Sequence, residues 1–151
     1  ELGKYIERIL NIVNLIRKQW ILYGEDLLDN DYSNWRYFLS SVSGYDFYLR
    51  NNLGTMEKER IFYQMIYEPL FPNSISYSLN ELDKFAKQLN SGEQGESDET
   101  VGFFIGKCIA NVQFTRHPRT REEKMLFLAR IESDIYEISN IFNHQFFGLV
   151  V

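Results

Sequence analysis

The amino-acid sequence predicts an all-α fold, and three observations carry this prediction. Apolar residues recur at alternating steps of three and four along most of the chain, which is the spacing of one helix face. Several of these stretches follow a Ser or Thr placed as a helix N-cap. No stretch alternates regularly between apolar and polar residues, and no Asn-Gly or Asp-Gly hairpin turn occurs. With 151 residues, the chain is expected to form a single domain over residues 1–151, a bundle of six or seven helices around a long C-terminal helix.

The longest predicted helix lies between Thr120 and Phe146. Thr120 and Glu123 have the spacing of a capping box, in which the hydroxyl and the carboxylate each accept a backbone amide at the helix start. A helix of about 25 residues is about 37 Å long, so other helices are expected to pack along it. Five residues are predicted to form its apolar stripe: Leu128, Ile131, Ile135, Ile138 and Phe142.

Three helices are predicted in the N-terminal third of the chain. The first covers Leu2–Tyr23, and Gly24 is placed to end it. The second covers Tyr32–Val42 and presents an aromatic and aliphatic stripe. A short third helix covers Tyr45–Asn51.

Two capping signals are predicted to open the helices in the middle of the chain. Thr55 is expected to cap a helix that ends before Pro69, because proline cannot continue a helix interior. Ser78 and Glu81 have the spacing of a second capping box, for a helix that continues through Leu89.

A polar segment and an apolar helix follow. Asn90–Glu99 contains Gly, Ser and acidic residues but no apolar side chain, so it is expected to be a mobile loop. Val101–Val112 is predicted to form a strongly apolar helix. Its Gly102 and Gly106, four residues apart, are expected to allow close approach of a neighbouring helix.

Charge and aromatic content favour a protein partner. The net charge is −5, and Phe, Tyr and Trp make up 16% of the residues. A negative field repels phosphate backbones and attracts basic proteins, so a basic protein is the expected partner and nucleic acid is not. Aromatic side chains are enriched at protein interfaces.

The single cysteine and the hydropathy pattern predict the compartment. Cys108 lies in an apolar run and is expected to be buried, and one cysteine cannot form an intramolecular disulfide. No stretch has the continuous apolar character of a membrane span or the compact apolar region of a signal peptide. We therefore expect a cytoplasmic protein whose oligomeric state the sequence does not fix.

Acidic residues cluster in two segments that are predicted to bind the partner. A calcium site in the first segment is not favoured, because the central Gly and closing Glu of a calcium loop are missing. The predicted partner-binding residues are the acids of both segments and one adjoining tyrosine: Glu25, Asp26, Asp29, Asp31, Tyr32, Glu93, Glu96, Asp98 and Glu99.

Basic residues cluster immediately before the long C-terminal helix. A helix N-terminus attracts anions through its free amides and its dipole, so this segment is a candidate anion-binding site. The competing interpretation is an exposed loop with local ion pairs to the acids that follow it. The candidate residues are Arg116, His117, Arg119 and Arg121.

No motif in the sequence specifies catalysis, a metal or a cofactor. The chain has only two histidines, His117 and His144, and they are too far apart in the sequence to match the spacing of a metal-ligand motif. A nucleotide-binding Gly-rich loop and a nucleophile elbow are also missing. We therefore expect no catalytic residues, no cofactor and no bound metal.

Three functions are consistent with these patterns. The preferred hypothesis is a non-enzymatic binding domain, most concretely an acidic immunity or antitoxin-type inhibitor that docks on a basic toxin nuclease. The second is an RNA-associated or nucleolytic domain that uses the basic segment. The third is an interaction domain in signalling or viral host manipulation that binds a partner helix in an apolar groove.

Overall fold

A computed structural model describes residues 1–25, 32–54, 56–90 and 100–148 of the chain. These ranges contain seven α-helices and no strand. The helices are α1 (Leu2–Tyr23), α2 (Tyr32–Ser41), α3 (Tyr45–Asn51), α4 (Lys58–Tyr67), α5 (Ile75–Asn90), α6 (Val101–Phe114) and α7 (Arg121–Phe147). The predicted all-α bundle of six or seven helices is confirmed.

The four longest helices pack in a closed ring. Helix α1 contacts α5, α5 contacts α6, α6 contacts α7, and α7 returns to α1. Each helix therefore buries its apolar stripe against two neighbours, as in a four-helix bundle. The shorter α4 packs on α5 and α1, and α2 packs on α3. Within the described ranges, no helix has the length and apolar character needed to cross a membrane.

Helix α7 is the long C-terminal helix that the spacing predicts. Thr120 Oγ1 accepts the amide of Glu123 at 3.1 Å, and Glu123 Oε2 accepts the amide of Thr120 at 3.3 Å, so the capping box is present. The buried side of the helix carries the predicted residues Leu128, Ile131, Ile135 and Ile138. Phe142 lies further along the same side and is partly buried.

The predicted capping box at Ser78 is wrong, because α5 begins earlier, at Ile75. Ser74 Oγ accepts the amide of Tyr77 at 3.0 Å, so Ser74 caps the first turn. Ser78 is then an interior residue of α5, and its buried hydroxyl has no hydrogen-bond partner in the part of the chain that the structure describes. Ser78 and Glu81 do have the spacing of a capping box, but they lie about one turn after the start of α5 at Ile75 and so cannot cap it.

Helix α4 also begins later than predicted, at Lys58, with Glu57 in the N-cap position. Thr55, the predicted cap, lies outside the described residues. Of the predicted mobile loop Asn90–Glu99, Asn90 is the last residue of α5, and residues 91–99 lie outside the described part of the chain. Helix α2 ends at Ser41, one residue before the predicted end.

The prediction for Gly106 is wrong as well. A Cβ atom placed on Gly106 meets no described atom within 4 Å apart from the nearby backbone of its own helix, so no helix of the described chain packs closely there. Helix α6 instead buries a face that does not include Gly106, formed by Val101, Ile105, Cys108 and Val112. The buried position predicted for Cys108 is confirmed.

Candidate functional site

The acidic and basic segments that are far apart in the sequence begin at the same end of the bundle. Glu25 Oε1 lies 3.6 Å from Arg121 Nε, which joins the end of α1 to the start of α7. Lys58 Nζ donates to the backbone oxygen of Gly24 at 3.3 Å, which brings the start of α4 to the same place. Glu25, the first residue of the acidic segment, therefore lies beside Arg121, the last residue of the basic segment, and the two partly neutralise each other.

Two of the predicted partner-binding residues, Glu25 and Tyr32, lie in the described part of the chain, and both are exposed. The other seven lie outside the described residues: Asp26, Asp29, Asp31, Glu93, Glu96, Asp98 and Glu99. The structure thus places the two residues that border the first acidic segment.

Large apolar side chains are exposed on both sides of this acidic segment. Ile21 and Leu22, in the last turn of α1, are 54% and 69% exposed. Tyr32 and Tyr37, on the outer side of α2, are 48% and 73% exposed. We call these four residues together with Glu25 the aromatic–acidic surface.

The helices that carry this surface are held together by buried aromatic rings. The ring centroids of Trp20 and Trp35 lie 4.7 Å apart in an edge-to-face arrangement, and Phe38 and Phe62 contact Trp20 from other sides. The exposed residues on α1 and α2 are therefore carried by helices that pack against each other through buried aromatic rings. Tyr32 is further fixed, because its hydroxyl lies 3.0 Å from that of Tyr45. This hydrogen bond is the main reason why the pKa of Tyr45 is raised.

The basic segment does not act as one cluster. Arg116 and His117 line a cavity at the junction of α6 and α7. Arg119 contributes backbone groups, since its oxygen accepts Lys124 Nζ at 2.8 Å and its amide donates to Glu123 Oε2 at 2.7 Å. Arg121 points to Glu25, as described above. The structure therefore separates the four predicted residues into three environments.

His117 packs between aromatic rings rather than standing free in the loop. Its ring centroid lies 5.9 Å from that of Phe62 and 5.5 Å from that of Tyr67. Its Nε2 atom is 3.7 Å from Glu59 Oε2. The hydroxyl of Tyr67 is buried and has no hydrogen-bond partner among the described residues, and desolvation raises its pKa to about 12. Tyr67 is therefore neutral at physiological pH.

A buried lysine supports this junction from inside. Lys124, in the first turn of α7, is only 2% exposed, and its Nζ donates to Glu59 Oε1 at 2.8 Å. The ammonium also lies 5.3 Å from the centre of the Phe62 ring. A buried charge needs a partner of this kind, so the ion pair ties the start of α7 to α4. This ion pair could not be predicted from the sequence, because Lys124 follows two glutamates and resembles an ordinary exposed charge at a helix start.

The cavity at the α6–α7 junction has a volume of about 200 Å³ and is open to solvent. Arg116, His117 and Arg130 are among the residues that line it. The full lining is Thr115, Arg116, His117, Pro118, Glu123, Leu126, Phe127 and Arg130, and we call this site the arginine cavity. Sequence reasoning missed Arg130, although Glu123, Leu126, Phe127 and Arg130 have the spacing of one helix face.

Comparison with known proteins gives a family but no described relative. No curated protein and no solved structure is significantly similar to the chain. Residues 1–147 match the sequence profile of Alpha-E, described as a predicted alpha-helical domain with a conserved ER motif. The chain belongs to the Alpha-E family. The dipeptide Glu-Arg occurs twice within the matched residues, as Glu7–Arg8 and as Glu59–Arg60.

In this Alpha-E chain, Glu7–Arg8 borders a groove on the outer side of α1. The groove has a volume of about 310 Å³ and is lined by Lys4, Glu7, Arg8, Asn11, Ile12, Leu15, Ser41, Val42 and Asn73. Arg8 Nη1 donates to the backbone oxygen of Pro72 at 3.4 Å, and its guanidinium lies 5.2 Å from the centre of the Tyr5 ring. Arg8 thus links α1 to the segment before α5.

The second dipeptide has a different role in the Alpha-E structure. Glu59 holds the buried Lys124, whereas Arg60 pairs with Glu57 at the surface, with 3.1 Å between Nε and Oε2. One residue of the dipeptide is thus part of the support for the arginine cavity. Neither dipeptide was identified as a site from the sequence, because each reads as ordinary charge on a helix face.

The described residues offer little for metal or thiol chemistry. None of the groups of His, Cys, Asp and Glu in the described ranges is arranged to hold a metal ion. Burial raises the pKa of the Cys108 thiol to about 12, so the thiol stays protonated at neutral pH.

Proposed function

We propose that this Alpha-E chain is a protein-binding domain and not an enzyme, and that a basic partner docks on the aromatic–acidic surface. The observation that carries the proposal is the exposure of Ile21, Leu22, Tyr32 and Tyr37 on both sides of the acidic segment. Isolated exposed apolar residues are ordinary, but several around one charged segment are typical of interaction sites.

The two components of this surface have different roles in binding. Tyrosine side chains bury a large area at low conformational cost and are frequent among the residues that dominate binding energy. Acidic residues at the rim contribute mainly to the rate of encounter with a basic partner and to its selection. The net charge of −5 means that the chain as a whole, like these acidic residues, attracts a basic partner.

The concrete form that the sequence favours is an immunity or antitoxin-type inhibitor of a basic toxin nuclease. The support is the clustering of acids in residues 25–31 and 93–99. The ion pair between Glu25 and Arg121 modifies this picture, because one acid of the surface is already partly neutralised within the domain.

The proposal is tested by photo-crosslinking in cells of the source organism. The photoreactive residue benzoylphenylalanine replaces Tyr37 in one variant and Tyr136, which is on α7 and is also exposed, in the matched control. We expect the Tyr37 variant to capture one basic protein that the control does not capture. The purified partner is then assayed for nuclease activity, which an inhibitor of this type abolishes on binding.

A capture that is equal at Tyr37 and Tyr136 contradicts the proposed surface. A partner of acidic composition contradicts the electrostatic part of the proposal. A basic partner that is not a nuclease leaves the binding function in place and removes the immunity or antitoxin form of it.

A further inference from the structure

Two arginines line the arginine cavity, and neither forms a close ion pair within the described ranges. Arg116 and Arg130 both line the cavity, and within the part of the chain that the structure describes neither has a carboxylate within 4 Å. At the same end of the bundle, Arg60 pairs with Glu57 and Arg121 with Glu25, whereas Arg119 forms no ion pair with a described carboxylate and does not line the cavity. Two unpaired cations beside one concavity attract an anion.

The one carboxylate in the cavity is already engaged. Glu123 Oε2 accepts the backbone amides of Arg119 at 2.7 Å and Thr120 at 3.3 Å. These two hydrogen bonds are the main reason why the pKa of Glu123 is lowered, with smaller contributions from Arg116 and Arg119. Because its charge is taken up by the start of α7, Glu123 does not neutralise both guanidinium groups.

The remaining wall of the cavity is apolar. Pro118, Leu126 and Phe127 line it together with His117, and Leu126 is strongly exposed. The volume of about 200 Å³ is below the roughly 300–1,000 Å³ that is typical of pockets for drug-sized ligands. The cavity therefore suits a single anionic group that carries a small apolar substituent.

We propose that the arginine cavity binds the phosphate group of a small organic phosphate monoester. Arg116 and Arg130 hold the phosphate oxygens, because the planar guanidinium matches phosphate with paired hydrogen bonds. Leu126 and Phe127 contact the organic substituent. The capping box occupies the amides of Thr120 and Glu123, so these two amides are not available to the anion. This site is separate from the aromatic–acidic surface, so it does not depend on the proposed protein partner.

The proposal is tested by NMR titration of the full chain with phenyl phosphate. We expect saturable shifts of the backbone amides of Arg116, Leu126 and Phe127. The double variant Arg116→Gln with Arg130→Gln is expected to bind roughly tenfold or more weakly, because it removes both charged donors that hold the phosphate oxygens. The matched control is Arg36→Gln with Arg50→Gln, which removes the same charge from exposed positions on α2 and α3. Circular dichroism checks that both variants are folded.

Three further probes identify the source of the phosphate. Inorganic phosphate is expected to shift the same amides but to bind more weakly, since it lacks the apolar substituent. Stronger binding of single-stranded RNA, with shifts that also cover Arg119 and Arg121, overturns the proposal in favour of a nucleic-acid surface. A phosphoserine peptide that binds more tightly than phenyl phosphate overturns it in favour of a peptide site. Unsaturable shifts, or equal weakening in the control variant, also overturn it.

Discussion

The aromatic–acidic surface and the arginine cavity lie at the same end of the bundle but present opposite chemistry. The first consists of exposed apolar side chains on α1 and α2 beside an acidic segment. The second is a concavity at the α6–α7 junction with two unpaired arginines. The ion pair between Glu25 and Arg121 connects the first region, at the end of α1, to the start of α7. The net charge of −5 therefore has the sign of the first region and is opposite to the charge of the two arginines in the second.

The two regions also rest on different kinds of support. The aromatic–acidic surface stands on the buried rings of Trp20 and Trp35, which pack without any charge. The arginine cavity stands on Lys124, a buried cation that depends on Glu59. Substitutions in the support should thus disturb one region at a time, whereas substitutions in the shared core should disturb both.

The largest effect is expected in the shared core, where Ile135→Asp should disturb both regions together. Ile135 is fully buried on α7, so the substitution places an unpaired charge among apolar side chains. We expect a loss of at least about 4 kcal/mol in the free energy of unfolding, which is most of the stability of a small domain. Denaturant unfolding followed by circular dichroism measures it. Tyr136→Asp, at the exposed neighbouring position, is the control and should change stability little.

A smaller and more local effect is expected from Glu59→Gln. The substitution leaves the ammonium of the buried Lys124 without its carboxylate. Because the Glu59 side chain is 58% exposed, we expect about 2 kcal/mol, below the cost of breaking a fully buried pair. Addition of Lys124→Met should restore part of the loss. The control is Glu57→Gln, which breaks an exposed pair with Arg60 and should cost no more than about 1 kcal/mol.

The capping carboxylate of Glu123 should give a small pH-dependent contribution to stability. Its pKa is lowered from the ordinary value of 4.5, chiefly by the amide of Arg119 and then by that of Thr120. The stabilisation is fully present above pH 4.5 and is lost as the pH falls through the lowered pKa of the folded state. The stability difference between the native chain and Glu123→Gln should therefore be constant near neutrality and shrink in acid. A difference that grows on acidification contradicts this assignment.

The smallest effect on folding is expected at the acidic segment itself. Neutralising Asp26, Asp29 and Asp31 together should leave stability unchanged within about 0.5 kcal/mol. The same variant should slow association with the basic partner and flatten its dependence on salt. Stopped-flow measurements at several salt concentrations test this. Replacing Arg116, Arg119 and Arg121 by alanine should leave partner binding nearly intact, and the reverse pattern would move the interface to the basic segment.

The sequence predicted the helices better than it predicted the site. The apolar period and the Thr120 capping box located α7, because both signals are local in the chain. The Ser78 box failed because a second serine, Ser74, lies one turn earlier and competes for the same role. The cluster of charges in the sequence located the basic segment. It did not show that the side chains of this segment lie in separate environments in the fold.

The features of the site that were missed depend on contacts between distant residues. Lys124 and Glu59 are 65 positions apart, and Glu25 and Arg121 are 96 positions apart (121 − 25). No local pattern reports such pairs. Arg130 was missed for a different reason. Its helical spacing to Glu123 and Leu126 is visible in the sequence, but only the packing of α6 against α7 shows that this helix face lies beside the loop that carries Arg116.

The most direct test of the central claim, that a basic partner docks on the aromatic–acidic surface, is its affinity for two matched double variants. Leu22→Ser with Tyr37→Ser removes two exposed apolar side chains from this surface, and Leu126→Ser with Tyr136→Ser removes two from α7. Isothermal titration with the captured partner should show binding weakened by roughly tenfold or more for the first variant, as expected for side chains at the centre of an interface. The second variant should bind like the native chain. Equal affinities for the first variant and the native chain, or a loss confined to the second variant, would contradict the claim.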